Sequence, residues 1–156
     1  MISKTFLVTI MLIGFSHITV RAQKEKDNYT TLKTGILDLV NKHRAGMGLK
    51  PLKMNEVAEK AAEQHSHNMA TKKIPFGHDG FDARMAGISK KLNGATGWAE
   101  NVAMGPETAE QAVDMWLHSA GHKKNIEGDY NLTGIGIVKN ANGDLYYTQI
   151  FVNKRN

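Results

Sequence analysis

Cysteine is missing from this sequence, and proline occurs only three times in its 156 residues. A chain without cysteine cannot form disulfides, carry a lipid on a thiol or use a thiol as a nucleophile. The HExxH motif of zinc proteases and the GxSxG motif of serine hydrolases are missing as well. The folded chain must therefore rely on its hydrophobic core, and no single motif indicates an enzyme.

Strong charge of one sign is also lacking. The formal net charge is +5, and it falls by two, to +3, when Lys4 and Arg21 of the N-terminal segment are set aside. The lysines are scattered and do not alternate with aromatic residues, a pattern typical of a solvated surface. The sequence therefore predicts no nucleic-acid partner.

Residues 1–22 are typical of a secretory signal peptide. Lys4 supplies the positive start, a mostly apolar run covers 6–20, and Val20-Arg21-Ala22 offers a small-residue cleavage site. The run is short and partly polar for a membrane span, so an uncleaved anchor is the less favoured alternative. We expect secretion to the periplasm or beyond, and no transmembrane segment after cleavage. A polar leader at 23–28 and one domain at 29–156 would remain.

Apolar spacing predicts two helices at the start of that domain. The first runs from about Tyr29 to Ala45. The second begins after Asn55, a favourable N-cap, and places His65 within an apolar arc while His67 falls on the opposite side. A histidine on an apolar arc is more often a hydrogen-bonded core residue than a metal ligand, and we predict that role for His65.

A third helix is predicted after Pro106. Thr108 and Gln111 have the spacing of a capping-box pair, and Gly121 would end the helix. Its inward face would consist of Ala109, Ala112, Val113, Trp116 and Ala120.

The remaining segments predict a connection and a hairpin. Residues 71–97 contain glycine, lysine and few periodic apolar positions, which indicates a long irregular connection with at most a short helix around Ala83 to Ile88. The stretches TGIGIV and LYYTQIFV alternate in polarity around NANG, which predicts an antiparallel hairpin. Helices that must cover a small antiparallel sheet make an α+β domain.

Several stretches together resemble the secreted CAP superfamily, the cysteine-rich secretory, antigen 5 and pathogenesis-related 1 proteins, in its small bacterial branch. They occur in the family's order over nearly the whole domain. The stretches are LVNKHRAGMGLKPLKMNEVAEKAAEQHSHNMA (39–70), FGHDG (76–80), GWAENVA (97–103), MWLHSAGHKKNI (115–126), and TGIGIV followed by YYTQIF. The resemblance implies a three-layer α-β-α sandwich with a small three-stranded antiparallel sheet flanked by helices. The AENVA segment would be the third strand.

The resemblance also implies a cleft lined by two histidines and two acids. His78 matches the first histidine of the family's site, Glu100 the first acid and His122 the second histidine. Ser119 falls where animal and plant members carry the second acid. The implied site in this chain therefore has three members and a hydroxyl in the fourth place.

Two interpretations of this cluster stay open. Two imidazoles and a carboxylate suit a divalent metal such as zinc, with His78, Glu100 and His122 as ligands. The same residues would also form a structural network in which Glu100 accepts hydrogen bonds from one or both rings. We expect no other cofactor.

We favour a secreted, non-catalytic binding or interaction module whose ligand is an extracellular or envelope lipid, peptide or protein. The alternative is a hydrolase of peptide or envelope substrates in which Glu100 or His122 activates water, with or without a metal. Ser119 beside His122 suggests a nucleophile and its base, but the sequence indicates no oxyanion hole or third orienting group. A purely structural module, in which the cluster only stabilises the fold, is a third possibility.

Overall fold

The structure is a computed structural model that describes the backbone of residues 5–154 and the side chains of Val20 and residues 23–154. Within this range the chain forms five helices and four strands. The helices are α1 (Thr5–Gly46), α2 (Glu56–Ala70), α3 (Phe81–Lys91), α4 (Ala109–Leu117) and α5 (Ala120–Ile126). The strands are β1 (Lys53–Met54), β2 (Gly97–Met104), β3 (Leu132–Lys139) and β4 (Leu145–Asn153). A first compact unit ends at Leu32, and a second begins at Lys33.

Helix α1 begins at Thr5 rather than near Tyr29, so it includes the predicted polar leader. Exposed side chains four residues apart support this stretch: Gln23 donates to Asp27 at 2.8 Å, and Tyr29 donates to Glu25 at 2.6 Å. Residues 1–4 of the predicted signal peptide lie outside the described residues. Among those described, no helix is long and apolar enough to cross a membrane. The signal peptide and the domain boundaries stay predictions.

The sheet has the strand order β1-β3-β4-β2. Strands β3 and β4 form the predicted antiparallel hairpin, and β2, the predicted AENVA strand, pairs antiparallel with β4. A fourth strand was not predicted: β1 has two residues and runs parallel to β3. The sheet is therefore mixed, because this short strand adds a parallel pair to the expected antiparallel ones.

Helices cover both faces of the sheet. Every residue of β4 is buried, although successive side chains of a strand point to opposite faces. On one face Ile150 packs with Ala58 of α2 and Met85 of α3. On the other, the hydroxyl of Tyr147 donates to the carbonyl of Pro106, just before α4, at 2.7 Å. This is the predicted three-layer α-β-α sandwich, and the fold class is confirmed.

Helix α2 rests directly on β3 at two glycines. A Cβ atom on Gly134 would lie 2.1 Å from the backbone carbonyl carbon of Ala58, and one on Gly136 would lie 2.2 Å from that of Ala62. No side chain fits at such distances in a close-packed interior. The glycines therefore fix the depth of α2 over the sheet, and with it the position of His65.

The predicted cap of α2 is confirmed. The side-chain oxygen of Asn55 accepts from the amides of Val57 and Ala58, each at 3.1 Å. The backbone N–H of Asn55 donates to the carbonyl of Thr133 at 2.8 Å. One residue thus starts the helix and attaches it to β3.

The connection at 71–97 is more ordered than predicted. It contains the 11-residue helix α3, which exceeds the short helix expected between Ala83 and Ile88. Met85, Ile88 and Leu92 recur at helical spacing and bury against α2 and β4. Glycine and lysine around these positions hid the pattern in the sequence.

The third predicted helix is two helices. Its start is confirmed, because the Thr108 hydroxyl accepts from the amide of Gln111 at 3.2 Å. Its end is not: Gly121 lies within α5 instead of terminating α4. The extended backbone of Ser119, with φ −104° and ψ 119°, separates the two helices. Ala120, expected to face inward, is exposed as a result.

Candidate functional site

Glu100 lies at the centre of the candidate site, in the middle of β2. Only 1% of its side chain is exposed, so its charge must be compensated by neighbouring groups. Helix α5 holds the backbone at this point: the Asn125 side chain donates to the Glu100 carbonyl at 3.2 Å and to the Asn101 side-chain oxygen at 2.9 Å. The carboxylate is therefore presented from a rigid strand.

Arg84 of α3 compensates the Glu100 carboxylate. Its Nε donates to Oε2 and its Nη2 to Oε1, both at 2.7 Å. This bidentate geometry is the strong form of an arginine–carboxylate pair. Nη1 donates to the carbonyl of Asp79 at 3.1 Å. Arg84 was not predicted from the sequence, where its only signal is an isolated arginine among the apolar positions of α3.

His78 is brought to Glu100 as predicted. Its Nδ1 lies 3.0 Å from Oε1 of Glu100, while 49% of the side chain remains exposed. A carboxylate held by a guanidinium acts as an acceptor, so the proton of the His78 ring is assigned to Nδ1. Glu100 thus orients the His78 ring, and about half of that side chain faces solvent.

His65 is the buried, hydrogen-bonded histidine that was predicted. Its Nε2 donates to the carbonyl of Gly77 at 2.9 Å and lies 3.6 Å from Oε1 of Glu100. Burial lowers the pKa of His65, and this outweighs the raising effect of Glu100. His65 is therefore a neutral ring that supports the loop carrying His78.

His122 reaches the site from α5. Its backbone carbonyl accepts from the Asn101 side chain at 3.1 Å. Burial lowers the pKa of His122, and the neighbouring His78 lowers it further. Within residues 5–154 its Nδ1 is buried without a hydrogen-bond partner, and the ring makes no hydrogen bond or ion pair with Glu100. Among the described residues, the His122 ring is therefore not part of the hydrogen-bonded cluster around Glu100.

Ser119 lies at the N-terminus of α5 and is half-buried. Its hydroxyl makes no capping hydrogen bond to the described residues of that helix. Nδ1 of His122 has no hydrogen-bond partner among the described residues, so the Ser119 hydroxyl does not donate to it. A serine–histidine pair ready for nucleophilic attack is therefore not formed in this arrangement.

The residues as arranged do not fit a divalent metal ion. Among the described side chains, no group of three or more histidines, aspartates or glutamates is placed to hold one. The physical reason is that Arg84 takes both oxygens of Glu100, the carboxylate expected to bind the ion. The contacts correspond to the hydrogen-bonded network that was the other interpretation, and the metal site stays a prediction.

Two aromatic side chains lie beside the polar cluster in sequence. Phe76 is 51% exposed and packs edge-on against Tyr146, with ring centroids 6.2 Å apart. Trp98, two residues before Glu100 on β2, is 37% exposed and so does not lie in the core. Trp116 is fully buried, as predicted. Phe76 and Trp98 are therefore exposed aromatic side chains that are close in sequence to His78 and Glu100, and each offers apolar surface to a ligand.

These features define the class of protein: an α-β-α sandwich whose sheet edge presents a buried glutamate to histidines from separate segments. The sequence matches the model of the cysteine-rich secretory protein family, CAP, over residues 37–151. The chain belongs to this family. The family resemblance drawn from the sequence stretches is confirmed.

Two relatives come from Bacillus subtilis (strain 168). The uncharacterized protein YkwD is 35% identical, with 85% of this chain and 54% of that protein covered. The uncharacterized membrane protein YlbC is 30% identical, with 85% and 37% covered. The chain thus spans about half the length of the first relative and less of the second.

Solved structures share the fold. An outer surface protein of Borrelia burgdorferi superposes with a TM-score of 0.68 at 22% identity, covering 83% of this chain and 95% of that one. An extracellular SCP-domain protein of Bacillus anthracis gives 0.65 at 27% identity, covering 76% and 39%. A cysteine-rich secretory protein of Staphylococcus aureus gives 0.64 at 24% identity, covering 80% and 38%.

Proposed function

We propose that this protein is a secreted, non-catalytic binding module whose cleft, formed by His78, His122 and Phe76, holds an extracellular or envelope ligand. One observation carries the proposal: Arg84 and His78 engage the Glu100 carboxylate, which leaves it unavailable to take a proton from water. The imidazoles and the exposed aromatic ring then serve recognition through hydrogen bonds and apolar contact.

Secretion is supported by the signal-peptide pattern of residues 1–22 and by relatives described as extracellular or outer surface proteins. The test is to produce the full chain in a bacterial host and to determine the mass of the exported product. Removal of residues 1–22 with release outside the inner membrane is expected. A full-length product retained in the cytoplasm would contradict this part of the proposal.

The binding role is tested with purified cell-wall fragments, vesicles of envelope lipid and a random peptide library as probes. The wild type is compared with His78→Ala and with His118→Ala, a control because the His118 side chain is 78% exposed. We expect one probe class to bind the wild type and the control, and to bind His78→Ala at least about tenfold more weakly. Equal binding by all three proteins would place recognition elsewhere.

A hydrolase in which His122 acts as the base is the second candidate. The buried Nδ1 of His122, without a partner among the described residues, and the lowered pKa of this ring favour it. Labelled casein and purified peptidoglycan are suitable substrates. Turnover that is abolished in His122→Ala and kept in His118→Ala would establish catalysis, whereas absence of turnover supports the binding module.

A further inference from the structure

The arrangement around Glu100 assigns a role to Arg84 that the metal hypothesis does not include. We propose that Arg84 is the resident cation of the cleft: its guanidinium occupies both oxygens of Glu100 and excludes divalent metal ions, so the folded protein needs no metal there. The inference concerns the same site as the proposed function. It does not depend on which ligand the cleft binds.

Oε1 of Glu100 is already surrounded by nitrogen atoms. Oε1 of Glu100 accepts from Nη2 of Arg84 at 2.7 Å and from Nδ1 of His78 at 3.0 Å, with Nε2 of His65 at 3.6 Å. Oε2 accepts from Nε of Arg84 at 2.7 Å. A metal bound by this carboxylate would have to displace the guanidinium and also a ring nitrogen that carries its proton toward the oxygen.

The charges of Arg84 and Glu100 compensate each other. Only 12% of the Arg84 side chain and 1% of the Glu100 side chain are exposed, so each group compensates the other in a poorly solvated place. An ion bound to Glu100 would bring two positive charges close to Arg84 and remove the guanidinium's carboxylate partner. Its remaining described contact is the neutral carbonyl of Asp79. The resident pair therefore opposes metal binding electrostatically.

Removal of the Arg84 guanidinium would leave groups that can bind a metal ion. Without its guanidinium, Glu100 would be a buried carboxylate beside His65 and His78. His78 also acts electrostatically on His122, whose buried Nδ1 has no partner among the described residues. Imidazole and carboxylate are the donors that zinc and cobalt bind. Removing the guanidinium is thus expected to open a metal site that the natural chain keeps closed.

The experiment is a titration of metal-free full-length protein with Zn²⁺ by calorimetry and with Co²⁺ by visible absorption. Five proteins are compared: the wild type, Arg84→Gln, Glu100→Gln, Arg84→Gln/Glu100→Gln, and Lys91→Gln. Lys91 is an exposed cation on the same helix, so its replacement controls for loss of one positive charge. Circular dichroism confirms that each protein is folded.

We expect saturable binding by Arg84→Gln that disappears when Glu100 is also replaced. The wild type and Lys91→Gln should show none, even at metal concentrations roughly 100-fold above the Kd of Arg84→Gln. Saturable binding by the wild type that Glu100→Gln abolishes would overturn the proposal. So would a folded Arg84→Gln protein that binds neither ion. If Arg84→Gln does not fold without metal, the wild-type titration decides alone, with absence of binding in support. If His78→Ala binds the cell-wall, lipid or peptide probe as tightly as the wild type, the proposed function is refuted. The metal titrations would not be affected by that result.

Discussion

Two contacts of the sheet fix the position of the site, one at strand β3 and one at strand β2, and they differ in kind. On β3, Gly134 and Gly136 have no side chains, and the backbone of α2 lies directly upon them. On β2, the long side chain of Glu100 is buried and is held by Arg84 and His78. The first contact depends on atoms that are missing, and the second depends on partners that are present.

The two contacts tolerate different kinds of substitution. A backbone-to-backbone contact cannot move aside for an added atom, because neither partner has a side-chain rotamer to change. A buried ion pair tolerates replacement of both members better than loss of one, because a single loss leaves an uncompensated charge. Single and double substitutions therefore distinguish the backbone-to-backbone contact from the buried ion pair.

The largest loss of stability is expected from Gly136→Ala. The new Cβ would lie 2.2 Å from backbone atoms of α2, so the helix must shift or the strand must distort. We expect the free energy of unfolding to fall by about 4 kcal/mol or more, an exceptional value for one methyl group. Chemical denaturation followed by circular dichroism measures it.

Gly121→Ala is the matched control. Gly121 lies in α5, and a Cβ there would meet nothing within 4 Å among the described atoms. Its replacement is expected to be neutral or slightly stabilising, since alanine favours helix over glycine. Equal losses in the two variants would show that the contact of α2 with β3 is not the cause.

Arg84→Met should come next. It leaves the Glu100 carboxylate buried without its guanidinium, and loss of one member of a buried pair costs about 3–5 kcal/mol. The double variant Arg84→Met/Glu100→Gln removes both charges and should recover most of that loss. Denaturation in the presence of a chelator measures the stability of both proteins. If the double variant is no more stable than Arg84→Met, the packing of Arg84 matters more than its charge.

The two contacts also differ in how far sequence could predict them. Glu100, His78 and His122 were found because they occur in short stretches that resemble the family. Arg84 was not, because its partner lies 16 residues away along the chain and a single arginine gives no periodic signal. The glycines were read only as part of a strand, although Ala58 and Ala62 on the helix and Gly134 and Gly136 on the strand have matching spacings that indicate close packing.

The same division holds for the fold. The cap at Asn55 and the hairpin around NANG follow from local chemistry, and both were predicted. The short strand β1 and the break at Ser119 have no local signal. β1 exists because the amide of Lys53 meets the carbonyl of Asn131, at 3.1 Å, once the chain has already folded. Contacts of this kind depend on tertiary structure and lie beyond the reach of a pattern in one sequence.

The stability of the folded protein is expected to depend on pH through His65 and His122. Burial lowers the folded-state pKa of His65 and His122, whereas an unfolded histidine titrates near about 6.5. As the pH falls through that value, the unfolded state takes up protons before the folded state, so the folded state loses stability. At higher pH both rings are neutral in either state and the contribution is fully present.

The melting temperature should therefore be lower at about pH 5 than at about pH 7.5. The positive side chain of Arg84 and the carboxylate of Glu100 face His65 together with His78, so His122→Gln is the simpler variant for comparison. Its melting temperature should depend less on pH over this interval than that of the wild type. An identical dependence in both proteins would remove His122 as a cause.

The smallest effect is expected at Asn55, which tests whether α2 is positioned by its cap or by the glycines beneath it. Asn55→Ala removes the side-chain cap and should cost about 1 kcal/mol, while Asn55→Ser should cost little, because serine also caps helices. The amide of Asn55 still donates to the carbonyl of Thr133 in either variant, so the helix stays attached to β3. A loss as large as that of Gly136→Ala would mean that the cap, and not the absence of side chains on β3, sets the depth of α2.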